Sequence, residues 1–544
     1  MNCCKTKNTT PDTILLHHLF LRISFFFFFF LLLFPYHYHV GRCDSDVGLG
    51  YRVTLAIPPA YSPGFVGRAY LMETDDDDRQ NPGQPIFRTA LTVLAQAQQD
   101  DDDDEYSCSL DLFLGNVKVW SSAHFSRFYT SDKCTLELTQ LGDLVLKGLD
   151  DRVGWRSGTA GQGVQRLHLL RSGNLVLVDS QNSIKWQTFN FPTDIMLWGQ
   201  RLSSRTRLTS FIITTTTNNS DNKNNSSGGA NPMFYTFEVQ YDKIVLFLNH
   251  GKMKYSYWEF RPPSGEHNIT YVELTSTALE IYNGNFQKVA QISTSPSQSQ
   301  QQLNSPLRFL ALENATGNLG LYYYSTRESG FQASFQALNT TCDLPLACDP
   351  YGICTLSQTC SCINLVTRTA VEPGWRRTGG GSSCGGVGLL SSDSGGNNID
   401  DQAAEMVELR GVTSVLKGAL VEVDGSKARC ENFCLKNNTC VAALYTTSSS
   451  SDEGRAGCYV YGLVRGIKQV DSGRSNALMM GGSGTTYMIK VSKGTGSEEA
   501  QHQHSGLKRW VVIVIGVGDG LLIFVVVGGI GYYFIYYRPR TTSN

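Results

Sequence analysis

The sequence predicts a mainly β, multidomain protein that enters the secretory pathway and is held there by one transmembrane helix near its C-terminus. Three observations predict it. A strand-sized motif recurs at a fixed offset, ten of the 15 cysteines crowd into residues 342–458, and two long apolar runs flank a series of Asn-x-Ser/Thr acceptors. At 544 residues there is room for roughly three or four domains, each with its own core. A net charge of −2 and the lack of any Lys/Arg-rich stripe argue against a nucleic-acid partner.

The N-terminal run at 25–34 has ten residues, too few to cross a hydrocarbon layer of about 30 Å as a helix. With Lys5, Lys7 and Arg22 ahead of it, residues 1–42 read as a signal peptide cleaved near Gly41. The alternative, a signal anchor over 14–34, would have to bury Arg22. The second run, 510–537, is long enough to span, with the helix itself placed at 510–533. Lys508 and Arg509 precede it, and Tyr532, Tyr533, Tyr536 and Tyr537 supply an interfacial belt. Residues 538–544 then form the cytoplasmic tail of a type I, single-pass protein of the cell membrane. The acceptors Asn218, Asn224, Asn225, Asn268, Asn314, Asn339 and Asn437 fall on the extracellular side.

Residues 44–200 form the first domain. Their short alternating runs, broken by Gly or Asp turns, suit strands rather than helices. Gly142-Asp-Leu-Val-Leu146 leads to Trp155 and Gly173-Asn-Leu-Val-Leu177 leads to Trp186, an offset of 31 residues. Ser109-Leu-Asp-Leu-Phe113, leading to Trp120, is a blurred third copy. A fixed offset implies one supersecondary unit used several times. Here the unit is a strand, a turn and a second strand ending in Trp, so three small sheets can share a core of Trp and Leu. The acidic tracts at 75–78 and 100–105 cannot enter that core. They lack spaced ligands and read as solvated loops rather than calcium sites.

Residues 203–340 read as a second β-rich domain, with strands at 234–240, 244–248, 254–260, 271–275 and 319–325. Polar low-complexity loops interrupt it at 214–229 and 293–302. The module at 341–385 holds Cys342, Cys348, Cys354, Cys360, Cys362 and Cys384. Zinc suits it poorly, because no His is near and a translocated chain meets oxidising surroundings; disulfides are expected instead. A Gly/Ser linker over 378–397 leads to the last domain, 405–493, with Cys430, Cys434, Cys440 and Cys458. The four-residue step from Cys430 to Cys434 sets both on one face of a helix.

The cysteine spacing over 342–384 resembles an EGF-like module, and that over 430–458 a PAN/apple domain. The stretch from Trp186 to Leu202, reading Trp-Gln-Thr-Phe-Asn-Phe-Pro-Thr-Asp-Ile-Met-Leu-Trp-Gly-Gln-Arg-Leu, is similar to the segment closing the lectin domain of plant S-domain proteins. Trp198 stands where that family has Pro. In the order of its parts the chain resembles a plant S-domain receptor-like protein (bulb-type lectin, S-locus glycoprotein, PAN) lacking a kinase domain. The resemblance implies a bulb-lectin β-prism of three four-stranded sheets at 44–200 and an S-locus-like β-rich region at 203–340. It also implies the pairings Cys342–Cys354, Cys348–Cys360 and Cys362–Cys384 in the EGF-like module. Cys430–Cys458 and Cys434–Cys440 follow for PAN, and Cys108–Cys134 for the lectin.

In bulb lectins each sheet carries Gln-x-Asp-x-Asn-x-Val-x-Tyr, whose alternate residues face one sugar. The copies here read Glu105, Ser107, Ser109, Asp111, Phe113; then Thr139, Leu141, Asp143, Val145, Lys147; then Leu170, Ser172, Asn174, Val176, Val178. Asp143, Val145, Asn174 and Val176 are the candidate carbohydrate contacts. The Gln/Asp pair is missing from every copy, so these strands read as scaffold and mannose binding as weak or absent. No nucleophile elbow, His-Glu-x-x-His or Walker loop is present, so no enzyme, cofactor or metal is expected. The expected function is that of a non-kinase receptor-like glycoprotein binding a protein or glycan through its lectin-like and PAN domains. A glycan-binding or wall-associated structural protein is the alternative. Within the membrane span, Gly516, Asp519 and Gly520 combine a close-packing spacing with a carboxylate that needs a polar partner. They are the expected contact with a receptor kinase or other membrane protein.

Overall fold

The computed structural model describes residues 45–57, 64–74, 84–95, 106–212, 233–263, 268–293, 306–363, 375–376, 384, 404–421, 426–447, 457–470 and 485–492. The expected signal peptide, acidic tracts, membrane span and tail lie outside these residues. Among the described residues, no helix is long and apolar enough to cross a membrane.

The chain is mainly β. It begins with two short strands, β1 (Asp46–Gly48) and β2 (Arg52–Ala56), and then a meander of β3 (Val66–Glu73), β4 (Phe87–Ala95), β5 (Tyr106–Leu114) and β6 (Val117–Ser121). The short β7 (Phe128–Thr130) pairs with β5. Next come β8 (Lys133–Leu138), β9 (Leu144–Lys147) and β10 (Val153–Arg156), which take β2 as their fourth strand. The strands β11 (Val164–Leu169), β12 (Leu175–Asp179) and β13 (Ile184–Gln187) take β1. Alternation along each strand turns Leu110, Leu112, Leu136, Leu146, Leu167 and Leu177 into one common core.

That core ends in three tryptophans, one from the last strand of each sheet. Trp120, Trp155 and Trp186 stand 5.8–6.3 Å apart between ring centroids, each edge-on to the next at 71–77°. Edge-to-face contact suits the ring quadrupoles, and three such contacts close into a triangle. The indole N–H of Trp120 donates to the Phe191 carbonyl at 2.9 Å, so its polar end is satisfied as well.

The second β-rich region repeats the same plan. Two short strands, β14 (Ile195–Leu197) and β15 (Arg201–Ser203), precede a meander of β16 (Arg207–Phe211), β17 (Met233–Val239), β18 (Ile244–His250) and β19 (Met253–Phe260). Then β20 (Ile269–Leu274), β21 (Ala278–Asn283) and β22 (Lys288–Ser293) take β15, while β23 (Leu307–Leu312), β24 (Leu319–Ser325) and β25 (Gly330–Gln336) take β14. Apart from the short β7, this is the topology of the first unit strand for strand. The seam differs from the expected one at 200–203, because β14 pairs with β23 and so belongs to the second unit. Phe309 of β23 is buried in the first unit's core, with Tyr322 and Phe331 packed beside it, so the two units share an apolar interface.

The C-terminal part adds two five-stranded sheets. One joins β26 (Gly352–Cys354), β27 (Cys360–Ile363) and β28 (Trp375–Arg376) to β30 (Val412–Ser414) and β34 (Ile467–Gln469). The other contains β29 (Ala404–Leu409), β31 (Ala419–Val421), β32 (Ala442–Thr446), β33 (Gly457–Tyr461) and β35 (Thr485–Ser492). The helix α1 (Lys427–Lys436) lies on the second sheet, held there by Cys430–Cys458 and Cys434–Cys440. Cys108–Cys134, Cys342–Cys354, Cys348–Cys360 and Cys362–Cys384 are also bonded. The regions expected as separate modules at 341–385 and 405–493 are joined, since β26 runs parallel to β34 and pairs with it.

The C-terminal part is also continuous with the second three-sheet unit. Tyr255 of β19 stacks on Tyr461 of β33 at 5.9 Å and 15°. The Gly462 amide donates to the Tyr255 hydroxyl at 2.8 Å, and the Tyr461 hydroxyl donates to the Leu416 carbonyl at 2.9 Å. Burial pushes the Tyr255 hydroxyl up to about 12, with the Gly462 amide pulling the other way. One apolar core runs through both regions, from Leu246 and Leu310 to Leu444 and Ile467.

Candidate functional site

The outer faces of the first unit are where the residues singled out in the sequence fall. Asp143 sits in the turn before β9 and is buried. Its Oδ1 accepts from the Ser157 hydroxyl at 2.9 Å and from the amides of Gly158 and Thr159 at 2.8 and 3.0 Å. Its Oδ2 pairs with Arg156 Nε at 3.1 Å. Asn174, in the equivalent turn before β12, accepts from the Thr188 hydroxyl at 3.2 Å and the Phe189 amide at 3.3 Å. Its Nδ2 donates to Gln187 Oε1 at 2.8 Å. Val145 and Val176, two residues further on, are buried. Each polar side chain thus ties its own turn to the residues that follow the next strand, and its hydrogen-bonding capacity is used within the scaffold. Asp143→Ala leaves those donors without an acceptor in a buried place. It is expected to cost about 2 kcal/mol or more of stability, read as a lower urea midpoint.

The remaining face, on β3 to β6, is different. Cross-strand register sets Arg68 beside Thr92 and Ser109, Tyr70 beside Ala90, Asp111 and Ser121, and Arg88 beside Phe113 and Lys118. Asp111 is only 1% exposed. Its Oδ1 accepts from the Ser121 hydroxyl at 2.6 Å, whereas Oδ2 has no hydrogen-bond partner and lies 3.6 Å from Lys118 Nζ. The buried Thr92 hydroxyl is also without a partner. Arg68 lies over the Phe113 ring at 4.7 Å and Arg88 over Tyr70 at 5.7 Å, with Arg88 also 3.6 Å from Glu73, so a guanidinium stands in the cross-strand row on each side of Asp111. The face presents a cationic rim to solvent, with the Asp111 carboxylate buried beneath it. Arg68, Tyr70 and Arg88 come from strands paired across the sheet, and nothing in their local sequence marks them.

Among the described residues no group of three or more His, Cys, Asp and Glu could hold a metal ion. Burial holds His124 below its ordinary 6.5, opposed by Asp194 and the Thr209 carbonyl, and its Nε2 lies 2.7 Å from that carbonyl oxygen. It ties the first unit to the second. Asn268, Asn314 and Asn339 are exposed, and Asn437 is half-buried with Oδ1 accepting from the Thr439 amide and hydroxyl. Asn218, Asn224, Asn225, Gly516, Asp519 and Gly520 lie outside the described residues.

The family described as D-mannose binding lectin matches residues 118–217. A G-type lectin S-receptor-like serine/threonine-protein kinase of Arabidopsis thaliana is 24% identical over 419 residues, covering 75% of this chain and 44% of that protein. A PAN domain-containing protein of Arabidopsis thaliana is 25% identical over 316 residues, 57% of each chain. EP1-like glycoprotein 4 of Arabidopsis thaliana is 25% identical over 337 residues, 59% of this chain and 69% of that one. The chain spans less than half the length of the receptor kinase it matches. The chain is thus similar to plant S-domain receptor-like proteins over up to three quarters of its length, with the lectin family matched at 118–217.

Proposed function

We propose that this chain is a cell-surface recognition glycoprotein, single-pass and type I, that binds a glycan or protein ligand through the outer face of β3 to β6. In this reading the two three-sheet units are β-prisms, and the cysteine-rich hairpin is an EGF-like module joined to a PAN domain. The observation that carries it is the buried, half-partnered Asp111 inside a rim of Arg68, Arg88 and Lys118. In the other two sheets Val145 and Val176 stand in the place of Asp111, and Asp143 and Asn174, the counterparts of Ser109, are consumed within the scaffold. Signalling would need a membrane partner such as a receptor kinase, met through Gly516, Asp519 and Gly520. The second reading is a glycan-binding or wall-associated structural lectin-like protein with no such partner; the similarity to EP1-like glycoprotein 4 bears on it only in that this relative is a glycoprotein.

The test is glycan-array and affinity capture with the full chain in detergent, followed by calorimetry on the ligand found. Arg68→Glu and Asp111→Asn are each expected to weaken that ligand by at least about tenfold, the loss of one charge-assisted contact. Mannose is expected to show no affinity tighter than about millimolar. Mannose binding tighter than that, and abolished by Asn174→Ala, would move the site to β11 and β12 and end this proposal.

A further inference from the structure

One acceptor sequence stands in unusual surroundings. Asn268 precedes β20, and both its amide and that of Ile269 donate to the Tyr241 carbonyl at 2.8 Å. Asn268 and Thr270 are exposed while Ile269 between them is buried. The turn from β21 to β22 passes beside them: a β-carbon placed on Gly284 would lie 3.0 Å from Asn268 Nδ2 and 3.5 Å from Thr270 Oγ1. That turn is held by Asn283, whose Oδ1 accepts from the amides of Asn285 and Gln287 at 3.0 Å each. It carries Phe286 in the left-handed region, with φ at 61°.

Phe286 is 73% exposed and Tyr241 is 65% exposed. No other aromatic side chain among the described residues is left so bare, and both belong to turns that touch Asn268. A single exposed apolar residue needs no explanation, but two in the turns that touch one acceptor asparagine invite a shared cover. The floor between Asn268 and Phe286 is Gly284, which offers backbone and no side chain to obstruct a ligand.

From this arrangement we infer that Asn268 is N-glycosylated and that the first sugars of its glycan lie across Gly284 against the rings of Phe286 and Tyr241. The apolar C–H face of an N-acetylglucosamine packs on an aromatic ring, while its hydroxyls keep their water. Six disulfides imply passage through an oxidising compartment, where the sequence Asn268-Ile-Thr270 meets the glycosylation machinery. The donor is an oligosaccharide on a lipid pyrophosphate. Asn268 Nδ2 forms a bond to sugar C1 as the C1–O bond to pyrophosphate breaks; the amide loses one proton and the pyrophosphate leaves on its lipid. The attached sugar then covers the two rings for as long as the chain stays folded.

The test uses the full chain expressed with oligomannose glycans and extracted in detergent. Peptide mass spectrometry after endoglycosidase H should find a residual N-acetylglucosamine on Asn268. On the native protein, Phe286→Ala should speed endoglycosidase release at that site by about fivefold, the size of one aromatic contact, with no difference once both proteins are denatured. Thr270→Ala removes the acceptor without touching the Asn268 backbone, whose φ of 104° would strain a substitution there. It should lower the melting temperature of the parent chain more than that of Phe286→Ala, which keeps only the Tyr241 contact. An unmodified Asn268, or a release rate indifferent to both Phe286→Ala and Tyr241→Ala, would overturn the inference.

Discussion

Trp120→Ala is expected to unfold or nearly unfold the first three-sheet unit. Replacing a buried Trp by Ala costs about 3–5 kcal/mol, a large part of the roughly 5–15 kcal/mol that holds a domain together. Trp120 is the member of the triangle whose indole N–H is also hydrogen-bonded to the chain beyond the last strand. Its ring meets both Trp155 and Trp186, and its N–H holds the Phe191 carbonyl. Phe191 in turn stacks on Trp186 at 5.8 Å, so the hole would loosen the chain on its way to β14. The three rings act together, so Trp120→Phe and Trp155→Phe should be non-additive by about 0.5–1.5 kcal/mol. Circular dichroism in urea measures both effects. Additive losses below about 1 kcal/mol each would mean that the tryptophans merely sit near one another.

The first unit was legible because its repeat survives in the chain as a fixed offset. Gly142 and Gly173 open equivalent turns at φ near 80°, and Trp155 and Trp186 end equivalent strands. The second unit has the same topology and shows no such period. Long insertions separate β16 from β17 and β22 from β23 in its sequence, and among the described residues no Trp triangle marks its centre. Its opening strands are only three residues each, β14 and β15, too short to show alternation. Asp143 and Asn174 could be found by laying one copy on another, but whether they face a ligand or their own scaffold depends on Ser157, Thr159, Thr188 and Gln187. Those partners are 13–16 residues away in sequence. The rim around Asp111 was out of reach for the same reason: Arg68 and Arg88 meet it only through strand register.

Serine at both Cys348 and Cys360 is expected to disorder more than the small hairpin that contains them. The bridge closes a loop of 12 residues, and its loss should cost about 3 kcal/mol by loop entropy. An isolated cysteine-rich hairpin would absorb that loss alone. Here β26 is an interior strand, with Ile353 fully buried opposite Ile467 of β34, and β34 in turn pairs with β30. Lys468 donates to Asp343 at 2.7 Å and Arg465 to the Cys348 carbonyl at 3.5 Å, so the cysteine-rich segment also orients the chain leaving Tyr461. When the hairpin opens, β34 becomes an edge strand with half of its backbone groups unpaired, and Ile467 loses its cover. Amide exchange should therefore quicken at Ile467 and Lys468 as well as at Ile353. At Thr413, which pairs with Lys468, it should quicken less. The Tyr255–Tyr461 stack, on β33 of the other five-stranded sheet, ought to limit the damage to the shared sheet. Exchange at Ile467 and Lys468 that stays at its native rate while the hairpin is open would show β34 to be held by the C-terminal part alone. The parallel pairing would then add nothing to its stability.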